Sequence, residues 1–94
     1  MPFDLTIVTP QGPAYQGAVE SVVLPGSEGD FGVLASHERL LSPLRAGAVE
    51  IRTAEETVHA TIAEGFAEVT GETVVVMVES CEVAADGDAA RAKR

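Results

Sequence analysis

Tryptophan is missing from these 94 residues, and aromatic residues of all kinds make up 4% of them. The interior therefore has to be built from Val, Ile, Leu and Ala. Cysteine occurs once, at Cys81, which excludes an intrachain disulfide and fits a reducing compartment. Basic residues are scarce: six Lys and Arg stand against fifteen Asp and Glu, for a net charge of −9. Affinity for nucleic acid draws on neutralised phosphates, so no nucleic-acid partner is expected. An anionic lipid surface would repel the chain as well. Long apolar runs are also absent. The longest, Val74 to Val78, is far short of a membrane span. The start, Met1-Pro2-Phe3-Asp4, lacks a basic region followed by an apolar stretch, and no signal peptide is expected.

What is present points to one globular domain. Hydrophobic residues reach 46% and charged residues 22%, a balance that excludes a disordered chain. A chain of this length can bury enough apolar surface to fold alone, with a modest margin.

The stretch Leu24-Pro25-Gly26-Ser27-Glu28-Gly29-Asp30-Phe31-Gly32-Val33-Leu34 carries three glycines and a proline between two apolar runs. Glycine takes φ > 0 without a Cβ clash and proline fixes φ, so a tight reversal is expected here. Glu28 and Asp30 make its tip acidic, with Phe31, Val33 and Leu34 as anchors beneath. A phosphate cradle is excluded by the missing Lys and by the two carboxylates. Asp30-Phe31-Gly32 spells a kinase tripeptide, but the chain is too short for a kinase. A calcium loop needs more oxygen ligands. Two readings remain for the tip: carboxylates that merely face water, and a docking point for a basic or polar partner.

Elsewhere the pattern has a period of two. Phe3, Leu5 and Ile7 alternate with Asp4 and Thr6, as in a half-buried strand. Tyr15 to Leu24 reads as one longer extended segment, with a bulge or a change of sheet where the alternation slips near Val22. Ser36 to Arg39 is a bend, followed by a short strand that ends near Arg45. Ala46-Gly47 reads as a hairpin turn. Val49 and Ile51 point inward, and Val58 to Glu64 and Phe66 to Val69 alternate on either side of Gly65. Val74 to Val78 is apolar on both faces, as in a central strand covered on each side. Eight or more short strands with regular turns predict an antiparallel sandwich or flattened barrel. Residues 1–83 form this domain. Residues 84–94 are rich in Ala, interrupted by Asp86-Gly87, and read as a short helical or disordered tail.

Chemistry is sparse. His37 and His59 have no Cys or His at ligand spacing, so no metal is expected. Cys81 with His37 lacks the context of a nucleophile pair. No serine lies in a G-x-S-x-G pattern. Glu28 and Asp30 form an acid–base pair only if a deep cleft accompanies them, and so short a sandwich offers little room for one. The residues favour a small acidic β module that binds a protein, does no chemistry and needs no cofactor.

Ile7-Val8-Thr9-Pro10, Tyr15-Gln16-Gly17, Val22 to Gly26, Glu28 to Leu34, His37, Leu40-Leu41 and Leu44 together resemble the epsilon subunit of the F-type ATP synthase. Glu64 to Val69 and Val74 to Val78 are similar to that family too. The resemblance spans residues 3 to 83. It implies a ten-stranded β-sandwich in the central stalk, set against the gamma subunit and resting on the ring of c subunits. It implies a non-catalytic rotor subunit that couples ion flow to ATP synthesis. Such a subunit is peripheral to the membrane, without insertion, on the cytoplasmic face of a bacterial plasma membrane. Glu28, Asp30, Phe31 and His37 become candidates for the c-ring contact, and Val78 for a strand face against gamma. The family continues into two helices, of which these residues hold at most the start, so helix-mediated inhibition is not expected of them. Some members bind ATP at an I/L-D-x-x-R-A motif. Asp88-Ala89-Ala90-Arg91-Ala92 matches its last five positions, with Gly87 in place of the aliphatic residue. Glu82 falls where such members carry Glu. Glu82, Asp88, Arg91 and Ala92 are therefore the residues of an alternative reading, a nucleotide-sensing sandwich. A hydrolase using Glu28 and Asp30 is the third.

Overall fold

The computed structural model describes residues 2–34 and 39–84. His37, the bend at residues 36–38 and the tail beyond Ala84 lie outside them, and so do Asp88, Arg91 and Ala92. The described residues form ten strands: β1 (Phe3–Thr9), β2 (Gly12–Val19), β3 (Ser21–Gly26), β4 (Gly29–Leu34), β5 (Leu40–Leu44), β6 (Gly47–Arg52), β7 (Thr57–Ile62), β8 (Gly65–Thr70), β9 (Thr73–Val78) and β10 (Cys81–Val83). The alternation seen in the sequence sets which side chains turn inward. Phe3, Leu5 and Ile7 are buried, as are Val49 and Ile51, Val58, Ala60 and Ile62, and Ala67 and Val69. Each strand has one apolar edge of its pleat to hide, and two layers face to face are the simplest way to hide it.

Strand pairing runs in one path, β10-β7-β6-β3-β5-β8-β9-β1-β2, with β4 added on β3. The path folds over at β3, giving one layer of β10, β7, β6, β3 and β4 and a second of β5, β8, β9, β1 and β2. The ends of the path, β10 and β2, touch, so the sandwich is nearly closed. The core between the layers contains no buried polar or charged side chain among the described residues. It is made almost wholly of Val, Ile, Leu and Ala, as the shortage of aromatics requires.

Four sequence expectations need correction. The sandwich is antiparallel except at one pair: β1 runs parallel to β9, from Asp4↔Thr73 to Val8↔Met77. No hairpin links these two strands, so nothing in the chain forces them to oppose. Tyr15 to Leu24 is two strands joined by the expected change of sheet, which falls earlier than Val22. The chain passes from layer to layer at Glu20, whose N–H donates to the Arg52 carbonyl at 2.6 Å. The bulge lies elsewhere, where Ile7 pairs with Tyr15 and Val8 with Pro13, leaving Ala14 extra. Ala46-Gly47 is a crossover and not a hairpin, because β5 pairs with β8 while β6 pairs with β3 and β7. Finally, β9 is covered on one face only: Val74, Val76 and Val78 are buried, whereas Met77 is 43% exposed.

Gly65 opens β8 opposite both Leu44 and Val78. A Cβ there would collide with the Met77 carbonyl oxygen and lie 2.8 Å from the Val78 Cα. Both are backbone atoms and cannot swing aside. Gly65→Ala should therefore destabilise the fold by about 3 kcal/mol in urea titration, the upper range for overpacking. Gly71→Ala, where no heavy atom lies within 4 Å of the added Cβ, should stay within about 0.5 kcal/mol. Equal effects would show that the close approach at Gly65 is not what holds β8 and β9 together.

Candidate functional site

The acidic stretch is a β3–β4 hairpin. Gly26 pairs with Gly29, and Ser27-Glu28 make the turn between them. Gly29 sits at φ 134°, where an L side chain is strained. Gly26 is crowded: a Cβ there would lie 2.6 Å from the Gly29 carbonyl oxygen and 2.8 Å from Phe31 Cδ1. The half-buried Phe31 ring thus packs over Gly26 and against the core. Val33 is buried below it, but Leu34, also expected to anchor the tip, is 64% exposed. Leu34 stands at odd parity to Val33 and faces out.

Glu28 is exposed at the turn. Asp30 is exposed too, but it is already the second residue of β4, opposite Pro25. Its Oδ1 accepts a hydrogen bond from Arg45 Nη2 at 2.8 Å. The sequence reading missed Arg45, because nothing local links it to a residue fifteen positions earlier. Beside the tip lies a shallow notch of about 300 Å³, lined by Glu28, Phe31, Leu41 and Pro43 among others. Among the described residues no His or Cys lines it, and Glu28 and Asp30 are both exposed.

Across the second layer, the outer faces of four strands align. Pro43 pairs with Phe66, Phe66 with Met77, and Met77 with Val8. The neighbouring row runs Leu41, Glu68, Val75 and Thr6. Phe66 is 51% and Leu41 64% exposed. Pro43, Phe66, Met77 and Val8 make one apolar row with Leu41 beside its β5 end, while the neighbouring row is broken by the exposed Glu68; an exposed Phe, Met and Leu this close are of the kind that marks interaction sites. Val78 is not part of it. At 6% exposure it belongs to the core, and the outward residue is its neighbour Met77. The parity of β9 was unreadable because every residue from Val74 to Val78 is apolar.

Glu82 is exposed on β10, paired with Thr61. Asp88, Arg91 and Ala92, its companions in the nucleotide reading, lie outside the described residues. Cys81 is half-buried on the same strand, and burial first, then the neighbouring Glu82 charge, push its thiol above the ordinary value of 9.0.

The family model for the β-sandwich domain of the ATP synthase delta/epsilon chain matches residues 2–84. This chain belongs to the ATP synthase delta/epsilon family. Among the relatives of this family, the ATP synthase epsilon chain of Helicobacter acinonychis (strain Sheeba) is 47% identical over 75 residues, covering 80% of this chain and 61% of that one. The epsilon chain of Bacillus pumilus (strain SAFR-032) is 37% identical over 89 residues, covering 95% of this chain and 68% of that one. This sequence thus spans about three-fifths to two-thirds of the length of these family members. A similar sandwich occurs in the cryo-EM structure of the Euglena gracilis mitochondrial ATP synthase OSCP/F1/c-ring, with a TM-score of 0.82 at 24% identity over 97% of this chain and 61% of that one. Another occurs in the central stalk/c-ring structure of the Tetrahymena thermophila mitochondrial enzyme, with a TM-score of 0.72 at 15% identity over 84% of this chain and 64% of that one.

The raised thiol pKa disfavours the thiolate, the reactive form, of native Cys81. Iodoacetamide at pH 8 should alkylate it about fivefold more slowly in the native chain than in urea. The linked stability has a definite sign. The native state prefers the protonated thiol, so this contribution is complete below the unfolded value and is lost as pH rises from there through the raised folded value. Equal native and unfolded alkylation rates would overturn the assignment.

Proposed function

We propose that the chain is the β-sandwich portion of a non-catalytic central-stalk subunit of an F-type ATP synthase, set between the gamma subunit and the ring of c subunits. In this role it couples rotation driven by ion flow to ATP synthesis without carrying out chemistry. The observation that carries the reading is the presence of two unlike surfaces on one module: an acidic hairpin tip, and a face across β5, β8, β9 and β1 that exposes Leu41, Phe66 and Met77. The tip suits the polar and basic loops of a c ring, with Glu28 as its contact carboxylate and with Asp30 and Phe31 shaping the hairpin that carries it. The apolar face suits a permanent neighbour, and gamma is the one assigned to it, with Phe66, Met77 and Leu41 as the anchors. The similarity to epsilon chains and to subunits of F1/c-ring and central-stalk structures supports the same assembly. The subunit is then peripheral to the membrane through its complex. The bacterial relatives support the cytoplasmic face of a bacterial plasma membrane as its side.

Calorimetric titration of the chain with purified gamma subunit tests the face. The double variant Phe66→Glu/Met77→Glu should weaken gamma binding at least about tenfold, as expected for central apolar anchors. Both residues point outward, so the melting temperature should move by less than about 4 °C, the shift of a single kcal/mol. Glu28→Arg should leave gamma binding unchanged and weaken association with isolated c ring. Full gamma affinity in the double variant would place the gamma contact on another surface.

A further inference from the structure

The acidic tip is held by a cation of its own chain. Arg45 follows β5 immediately, and its N–H donates to the Pro25 carbonyl at 2.9 Å. On the other side of the same corner, the Ser27 N–H donates to the Pro43 carbonyl at 3.0 Å. The Arg45 guanidinium reaches across Pro25 to Asp30 on β4, with Nη2 at 2.8 Å from Oδ1. Gly47 leaves room for this path: a Cβ there would lie 3.2 Å from Pro25 Cβ and 3.5 Å from Arg45 Nη1. The side chain therefore spans three strands, over Gly47 of β6 and Pro25 of β3 to Asp30 of β4, along a track of small and cyclic residues.

We infer that Arg45 is the positioning residue of the acidic tip: it ties Asp30 to the corner between the two layers, neutralises it, and leaves Glu28 as the carboxylate that a partner reads. Two observations beyond the ion pair carry this. The pair is anchored at both ends by backbone, through Arg45 N–H to Pro25 and through Asp30 opposite Pro25. The second ion pair given by the structure, Arg52 with Glu50 at 3.7 Å, is looser and stays within β6. A free tip with two carboxylates would select any cation. A tip with Asp30 already matched presents one charge in a fixed direction, and discrimination then depends on geometry. As an exposed pair, with side chains 51% and 62% accessible, it adds little to global stability. Its effect is local orientation. The inference about partner contact rests on the assignment of the tip to the c ring; the inference about positioning does not.

Two readouts separate the parts. Amide hydrogen exchange at residues 26–31 needs no partner. Arg45→Gln and Asp30→Asn should each speed exchange there by about two- to fivefold, the range of a surface ion pair. The double variant should add nothing further. Arg45→Lys should recover part of the protection, and Arg52→Gln should change none of it. Association with detergent-solubilised c ring is the second readout. Arg45→Gln and Asp30→Asn should weaken it equally and without additivity, while Glu28→Gln weakens it with no change in exchange. Unchanged exchange in Arg45→Gln overturns the positioning role. An Asp30→Asn loss that persists undiminished on the Arg45→Gln background would make Asp30 itself the contact and overturn the assignment of Glu28. Failure of the wild-type chain to bind the c ring overturns the c-ring assignment and Glu28's role with it; the exchange data then decide Arg45 alone.

Discussion

Strand β3 belongs to both layers of the sandwich, and the rest of the molecule is arranged by that constraint. Its first residues, Ser21 to Val23, pair with β4 on one edge and β6 on the other. Its last residue, Gly26, pairs with Gly29 of β4 and with Leu44 of β5, which lies in the opposite layer. A strand that changes neighbours along one edge must turn a corner, and a side chain at the corner would meet the returning hairpin. Gly26 has none. The hydrogen bonds on either side, Ser27 to Pro43 and Arg45 to Pro25, close the corner with backbone groups alone. The direction of the acidic tip is therefore fixed by the same rungs that join the layers.

Magnitudes decide what each interaction contributes. A fully buried Val, Leu or Ile is worth about 1.5–3 kcal/mol, and the core holds such residues from nine of the ten strands or their borders. An exposed ion pair is worth about 0–1 kcal/mol. Stability thus comes from the interior, and the surface charges are free to serve direction and recognition. The two outer faces differ accordingly. The layer of β6 and β7 carries Glu50, Arg52 and His59 outward, on a polar surface. The layer of β8 and β9 carries Phe66 and Met77. Exposed Phe66 and Met77 side by side are costlier to leave in water than the polar row of β6 and β7, so the second face is the one suited to remain covered.

Much of this was legible in the sequence where alternation was clean. In β1, β6, β7 and β8 the polar residue between two apolar ones marks the outer face, and the inward set follows. The reading failed where that contrast disappears. In Val74 to Val78 no polar residue marks a face, so Val78 was assigned outward although the pleat turns it inward and Met77 outward. It failed again where neighbours in sequence are not neighbours in the sheet. Ala46-Gly47 has the composition of a hairpin turn, but composition does not say that β5 and β6 leave in different layers. Glu28 and Asp30 were visible as an acidic tip, since Gly and Pro state the turn locally. Arg45 was not, because its partner is set by the corner at Gly26 and by no local pattern. The hinge between layers is a tertiary fact, and the residues that depend on it inherit its invisibility.

One row of paired residues connects the two candidate surfaces. Gly26 at the base of the tip pairs with Leu44, Leu44 with Gly65, and Gly65 with Val78. Phe66 and Met77 of the apolar face are the chain neighbours of the last two. Two of the four positions are glycines into which a Cβ would drive backbone or ring atoms closer than 3 Å. Such tight rows resist shear, since sliding one strand breaks several backbone hydrogen bonds at once and has no soft side chain to absorb it. In the proposed role this matters more than any single contact. A subunit between a ring that turns and a shaft that must follow has to carry force from one surface to the other, and a compliant module would store the displacement instead of passing it on. The glycines that bring β3, β5, β8 and β9 into contact at this corner are therefore better understood as the link between the tip and the apolar face than as mere turn residues.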